Sequence, residues 1–271
     1  MKTTLLTLAV LFSLVRLIPA QTNNASFTGS KPLPTMDFLL QKVVAHATNY
    51  EDNNDNLFDM NYQYTRTRTW EYRNGSGELN SREVASKVEN KPERLALKAS
   101  RLSTASQRIG TPRATDSATG SSIQGKALKV KDYSIPNLVG RFQFTLVGRE
   151  MLNGRPAIMV DFKPLNNHLP VNQFADNFIN KAAGRVWIDE EDYAVAQAQL
   201  HLTQPVNVLG GLVGAVRKFT YDFTRVRTPE GYWFARNMDW HVEGREVLVN
   251  RIVDYHEQKL NEQKLMVTAA R

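Results

Sequence analysis

Tyr62-Gln63-Tyr64-Thr65-Arg66-Thr67-Arg68-Thr69-Trp70-Glu71-Tyr72-Arg73, followed by Asn74-Gly75-Ser76-Gly77, decides the class of the fold. Tyr62, Tyr64, Arg66, Arg68, Trp70 and Tyr72 fall on one side of an extended chain, and Thr65, Thr67 and Thr69 on the other. That period of two belongs to a strand and not to a helix, and β-branched and aromatic side chains suit a pleated surface. The glycines and asparagine that follow tolerate positive φ, so the chain is expected to turn and return as a second strand through about Val88. Pro92 interrupts, and residues 94–98 are expected as a third, short strand.

The same grammar governs the second half of the chain. Residues 141–151 and 155–163 alternate around Asn153-Gly154, a tight hairpin in which Phe142, Phe144 and Leu146 face Ile158, Val160 and Phe162. Strands follow at 185–189 and 193–203, joined by the acidic turn Asp189-Glu190-Glu191-Asp192. After Gly210-Gly211 come strands at 216–227, 232–243 and 245–256, separated by the turn 228–231 and by Gly244. Two segments change period. Met36, Leu39, Leu40, Val43, Ala47 and Tyr50 recur at helical spacing, and the polar run 51–56 is expected to end that helix. Val171, Phe174, Phe178, Ile179 and Ala182 give a second helix between Pro170 and Gly184. The class is mainly β within α+β, an antiparallel meander with two helices.

Residues 100–126 hold almost no large apolar side chain and read as a long mobile loop. Neither flank has enough pattern for an independent core, so residues 36–262 are expected to form one domain, with 263–271 as a tail. Residues 21–35 are polar and lack a hydrophobic period, which makes them a flexible leader. Residues 1–20 have a signal peptide's order of parts: Lys2, an apolar stretch, then Ile18-Pro19-Ala20 at a cleavage point. Arg16 and Pro19 end the apolar run short of the roughly 20 residues a membrane span needs. The expectation is an exported, periplasmic protein cleaved after Ala20. No cysteine is present, which excludes disulfides and thiolate metal sites, and the formal charge is +7. Removing Lys2 and Arg16 leaves +5, a balance suited to solubility or to anionic lipid surfaces. No nucleic-acid module or basic run stands out.

Catalytic and metal signatures are sparse. His46, His168, His201, His241 and His256 show no close ligand spacing. Ser76 lies in a hairpin turn and not in a nucleophile elbow. Leu57 and Gln63 stand where a calcium loop beginning at Asp52 needs Gly and Glu. The acidic turn 189–192 reads as solvated, no phosphate loop opens a helix, and nothing selects a carboxylate pair for glycoside hydrolysis. No catalytic, cofactor-binding or metal-ligating residue is assigned, and no cofactor is expected. The distinctive content is aromatic. Tyr62, Tyr64, Trp70, Phe142, Phe144, Phe219, Tyr221 and Trp240 are either core beneath the helices or, if two short helices cannot fill a strongly curved sheet, the lining of an apolar site.

Val147-Gly148-Arg149-Glu150, Asn153-Gly154-Arg155-Pro156-Ala157, Gly184-Arg185-Val186-Trp187-Ile188-Asp189 and Pro229-Glu230-Gly231-Tyr232-Trp233, with the order of elements, resemble the LolA/LolB-like group of periplasmic lipoprotein carriers, in its uncharacterised exported bacterial branch. The resemblance implies a curved antiparallel sheet or incomplete β-barrel with helices capping the concave face. It also implies a lipid, acyl chain or lipid-modified protein as partner, with transient membrane-surface contact and without catalysis. Absence of an N-terminal cysteine favours the soluble carrier type over the anchored receptor type. A periplasmic interaction or sensor module with a filled core is the alternative, and a hydrolase with a polar cleft the third reading.

Overall fold

The computed structural model describes residues 31–90, 135–165, 171, 176–208, 214–246 and 249–265. The expected signal peptide, most of the leader, the strand at 94–98 and the loop at 100–126 lie outside the described residues.

Ten strands form one antiparallel sheet: β1 (Tyr62–Asn74), β2 (Leu79–Glu89), β3 (Phe142–Leu152), β4 (Arg155–Pro164), β5 (Ala182–Asp189), β6 (Val195–Leu202), β7 (Val206–Val208), β8 (Gly214–Arg227), β9 (Trp233–Glu246) and β10 (Val249–Lys264). Their order is β2-β1-β10-β9-β8-β6-β5-β4-β3, with β7 also on β8, so the sheet does not close and β2 and β3 are its edges. This is the open, curved sheet expected, an incomplete barrel with helices over one face. Strands from before and after residues 91–134 share it, because β10 lies between β1 and β9.

Local chemistry sets the hairpins. Asn153 and Gly154 both take positive φ, 51° and 79°, the backbone that a two-residue turn between right-twisted strands requires. At the first hairpin, Asn74 Oδ1 accepts hydrogen bonds from the Ser76 and Glu78 backbone N–H groups and from the Ser76 hydroxyl. Ser76 is thereby a turn residue, as expected. The β3–β4 pairing matches Phe144 with Phe162 and Leu146 with Val160, but a bulge after Leu146 puts Ile158 opposite Arg149.

The helices depart from expectation. Thr35 caps α1 (Met36–His46), its Oγ1 accepting from the Phe38 N–H. The polar run at 51–56 does not end the helical segment. A π-helical turn (Ala47–Glu51) leads into α2 (Asp52–Asn61), which carries Phe58 onto Tyr62, Tyr64 and Phe234. Burial of that ring outweighs the poor helix propensity of Asp and Asn. A short helix, α3 (Ile135–Val139), precedes β3. Of the second expected helix the described residues show α4 (Asp176–Ile179), which ends earlier than expected because Ala182, Ala183 and Gly184 already belong to β5. The last two strands are also longer than expected: Gly244 is not a turn but sits in β9 opposite both Val216 and Arg251.

Leu39 and Val43 of α1 cover Ile158, Val160, Ile188, Val195 and Ala198 at the β4–β6 end of one face. Phe58 of α2 seals a second cluster near the start of β1. On the opposite face Trp233 packs on Ala194 and Ala196. Among the described residues no helix is long and apolar enough to cross a membrane.

Candidate ligand-binding face

Strand register aligns large side chains into rows on the face that carries α1 and α2. Trp70 pairs with Tyr255, Tyr255 with Trp240, Trp240 with Tyr221 and Tyr221 with Leu200, so one row crosses β1, β10, β9, β8 and β6. Trp70 and Tyr255 have ring centroids 5.2 Å apart at 58°, and Tyr255 and Trp240 stack at 5.2 Å and 18°. The neighbouring row is Arg68, Glu257, Met238, Phe223 and Ala198. The second row ends in the α1 cluster at Phe223 and Ala198, whereas Trp70, Tyr255, Trp240 and Tyr221 are half-buried and belong to neither cluster. Half-buried stacked rings on a sheet present flat apolar area with little entropy left to lose on contact.

Charge borders this aromatic row. Arg68 Nε donates to Glu257 Oε2 at 2.8 Å, and the Tyr255 hydroxyl donates to the same oxygen at 2.6 Å. Burial alone would raise the Glu257 carboxyl, but the Tyr255 and Arg68 hydrogen bonds outweigh it and hold it below its ordinary value. Burial, with Glu257 nearby, pushes the Tyr221 phenol up to about 12. Deeper on the face, Lys259 is 7% exposed and sets its ammonium 5.1 Å from the Tyr64 ring and 5.3 Å from the Phe58 ring.

The eight aromatic residues singled out in the sequence do not form one continuous lining. Trp70, Tyr221 and Trp240 come together, with Phe219 one step further along β8 opposite Val242. Tyr62 and Tyr64 are buried under Phe58 at 6% and 2% exposure. Phe142 and Phe144 lie at the far edge of the sheet, Phe142 against Phe162 at 5.2 Å and Phe144 against the α1 cluster. Tyr255, Glu257 and Met238 were missed. The alternation Val253, Tyr255, Glu257, Lys259 in the sequence marks the strand, but only its pairing with β1 shows that Tyr255 lies between two tryptophans.

The opposite face bears a cleft of about 400 Å³ with Thr69, Glu71, Arg82, Asp222, Asp239, His241, Asp254 and His256 in its lining. His241 Nδ1 meets Asp254 at 2.5 Å, its Nε2 meets Glu243 at 2.9 Å, and His256 Nδ1 pairs with Asp239. Burial and the facing Asp239 raise the Asp222 carboxyl. Through Asp254 and Asp239 the two imidazoles tie β9 to β10, while Glu243 shares β9 with His241. Among the described residues no group of His, Asp or Glu is arranged to hold a metal ion.

The acidic turn is not simply solvated. Asp189 is 1% exposed, accepts two hydrogen bonds from Arg155 at 2.6 and 2.8 Å, and receives the backbone N–H groups of Glu191 and Asp192. It anchors the β5–β6 turn.

No family model matches the sequence, and no curated protein matches it. Among solved structures the chain is similar to a "putative outer membrane lipoprotein-sorting protein domain" from Vibrio parahaemolyticus at 10% identity, covering 86% of this chain and 93% of that one with a TM-score of 0.31. It is similar also to a DUF1329 family protein from Desulfovibrio piger, at 9% identity, 86% and 94% coverage and a TM-score of 0.29. A LolA superfamily protein from Nitrosomonas europaea is similar at 7% identity, 83% and 92% coverage and a TM-score of 0.29.

Proposed function

We propose that this chain is an exported, periplasmic carrier or binding protein for an apolar ligand, a lipid, an acyl chain or a lipid-modified protein, and that it acts without catalysis. The observation that supports the reading is the half-buried row Trp70, Tyr255, Trp240 and Tyr221, left between two helices that each cover a different part of the same face. A chain laid along that row gains roughly 0.8 kcal/mol per buried CH₂, so affinity needs no reactive group. Release needs only that the ligand find an equally apolar destination.

Native mass spectrometry of the protein purified gently from its own compartment, followed by lipid identification after denaturation, tests this. A stoichiometric acyl-containing ligand is expected. Trp240→Ala removes the ring stacked on Tyr255 and is expected to weaken binding of a fatty acyl probe about tenfold, the effect of losing ~1.4 kcal/mol. A protein that is isolated bare and also refuses acyl probes is an interaction module with a filled core instead.

A further inference from the structure

Arg66 stands at the edge of the ligand face with its hydrogen-bonding capacity largely unused. A guanidinium has five N–H donors in a rigid fork. Here Nη2 donates to the Tyr64 hydroxyl at 3.0 Å, while Nε is buried with no hydrogen-bond acceptor. Two carboxylates pair with its charge without accepting a hydrogen bond from it. Glu257 lies 3.5 Å from Nε and is already taken by Arg68 and Tyr255, and Glu89 lies 4.0 Å from Nη1. Asp59 accepts from the Tyr64 hydroxyl. An anion seated on the fork would engage N–H donors that no protein group among the described residues accepts.

Position supplies the second half of the argument. Arg66, Arg68 and Trp70 follow one another on the same side of β1, so the guanidinium and the aromatic row are separated by about 13 Å of strand. Lys259, opposite Arg66 on β10, points its ammonium into the Phe58, Tyr64 and Phe234 rings and adds positive potential behind the fork. A ligand with a carboxylate at one end and a saturated chain at the other matches this order of cation and aromatic surface.

We propose that Arg66, flanked by Arg68, is the head-group subsite of the ligand face and that its ligand is a single-chain lipid with a free carboxylate, the chain lying along Trp70, Tyr255 and Trp240. This rests on the apolar-ligand reading above. The carboxylate takes the guanidinium fork in the bidentate geometry that such groups favour.

Competition against a neutral apolar fluorescent probe, using dodecanoate and monododecanoylglycerol, tests it. Dodecanoate is expected to displace the probe about tenfold more tightly than the glyceride, the worth of one charge-assisted hydrogen bond. Arg66→Gln is expected to erase that margin, and displacement of the probe by the glyceride shows that the variant is folded. Arg66→Lys, with charge but no fork, is expected to retain only part of it. Equal affinity of the two lipids for the native protein, or a margin that survives Arg66→Gln, overturns the head-group subsite and leaves chain binding standing. Failure of both lipids to displace a bound probe overturns chain binding as well.

Discussion

Asp189 is 1% exposed, and its neighbours decide whether a charge there is tolerable. Burial raises its carboxyl, but the Arg155 fork and the backbone N–H groups of Asp192 and Glu191 outweigh burial and hold it below the ordinary Asp value of 3.8. A native value depressed below the unfolded one contributes stability that is complete above 3.8 and is lost as pH falls from there through the native value. Asp189→Asn is therefore expected to destabilise the fold by about 3 kcal/mol at neutral pH, because it leaves Arg155 without its main partner. Urea titrations at pH 7 and pH 3 check this: the difference between native protein and variant shrinks at the lower pH, and an unchanged difference rejects the ion-pair account. The sequence shows four acidic residues in a turn and nothing of the guanidinium that meets one of them, because Arg155 is 34 positions away. The same blindness hid Tyr255, whose two aromatic neighbours sit on different strands.

Local elements were legible where the chemistry of a few adjacent residues suffices. The Asn153-Gly154 hairpin and the β1–β2 hairpin need only a turn that tolerates positive φ and an alternating pattern on each side, and both stand as read. Helix ends were not legible, because they depend on partners elsewhere. Nothing in residues 51–56 announces that Phe58 has a slot against Phe234, 3.8 Å between centroids. Gly184 was read as the residue that stops a helix, and it serves a different need. A Cβ there would meet the Gln199 carbonyl oxygen at 1.9 Å, so β5 can approach β6 only if this position has no side chain. Gly184→Ala is expected to cost about 2–3 kcal/mol by forcing the two strands apart, read as a lower urea midpoint. Gly140→Ala, which meets nothing within 4 Å, is the control and is expected to move the midpoint by less than a quarter of that. Equal effects of the two would deny the close approach.

The sheet as a whole is joined through one non-local pairing. Among the described residues, β1 and β2 meet the other strands through β10, so Arg68 contacts Glu257 across 189 positions. Period and turn chemistry establish that strands exist but say nothing about which distant strands become neighbours, and that choice places Trp70 beside Tyr255 and so creates the aromatic row. Closing so long a loop adds entropy only logarithmically with length, while the β1–β10 ladder runs from Tyr62 opposite Lys264 to Asn74 opposite Arg251. The chain contains no cysteine, so an introduced pair reports on this one contact without competitors. Thr67 and Gln258 are register partners on the face away from the helices, and neither takes part in the aromatic row. In the Thr67→Cys/Gln258→Cys protein a short bis-maleimide is expected to close a loop that retards or advances the band on a denaturing gel, while Thr67→Cys paired with Thr145→Cys at the far edge strand gives no such product. Cross-linking of the second pair and not the first would mean that β1 docks on β3 instead of β10, which would leave β10 as an edge and reassign the neighbours of Trp70. Cross-linking of the first pair alone fixes the β1–β10 register on which both the aromatic row and the Arg66 subsite depend.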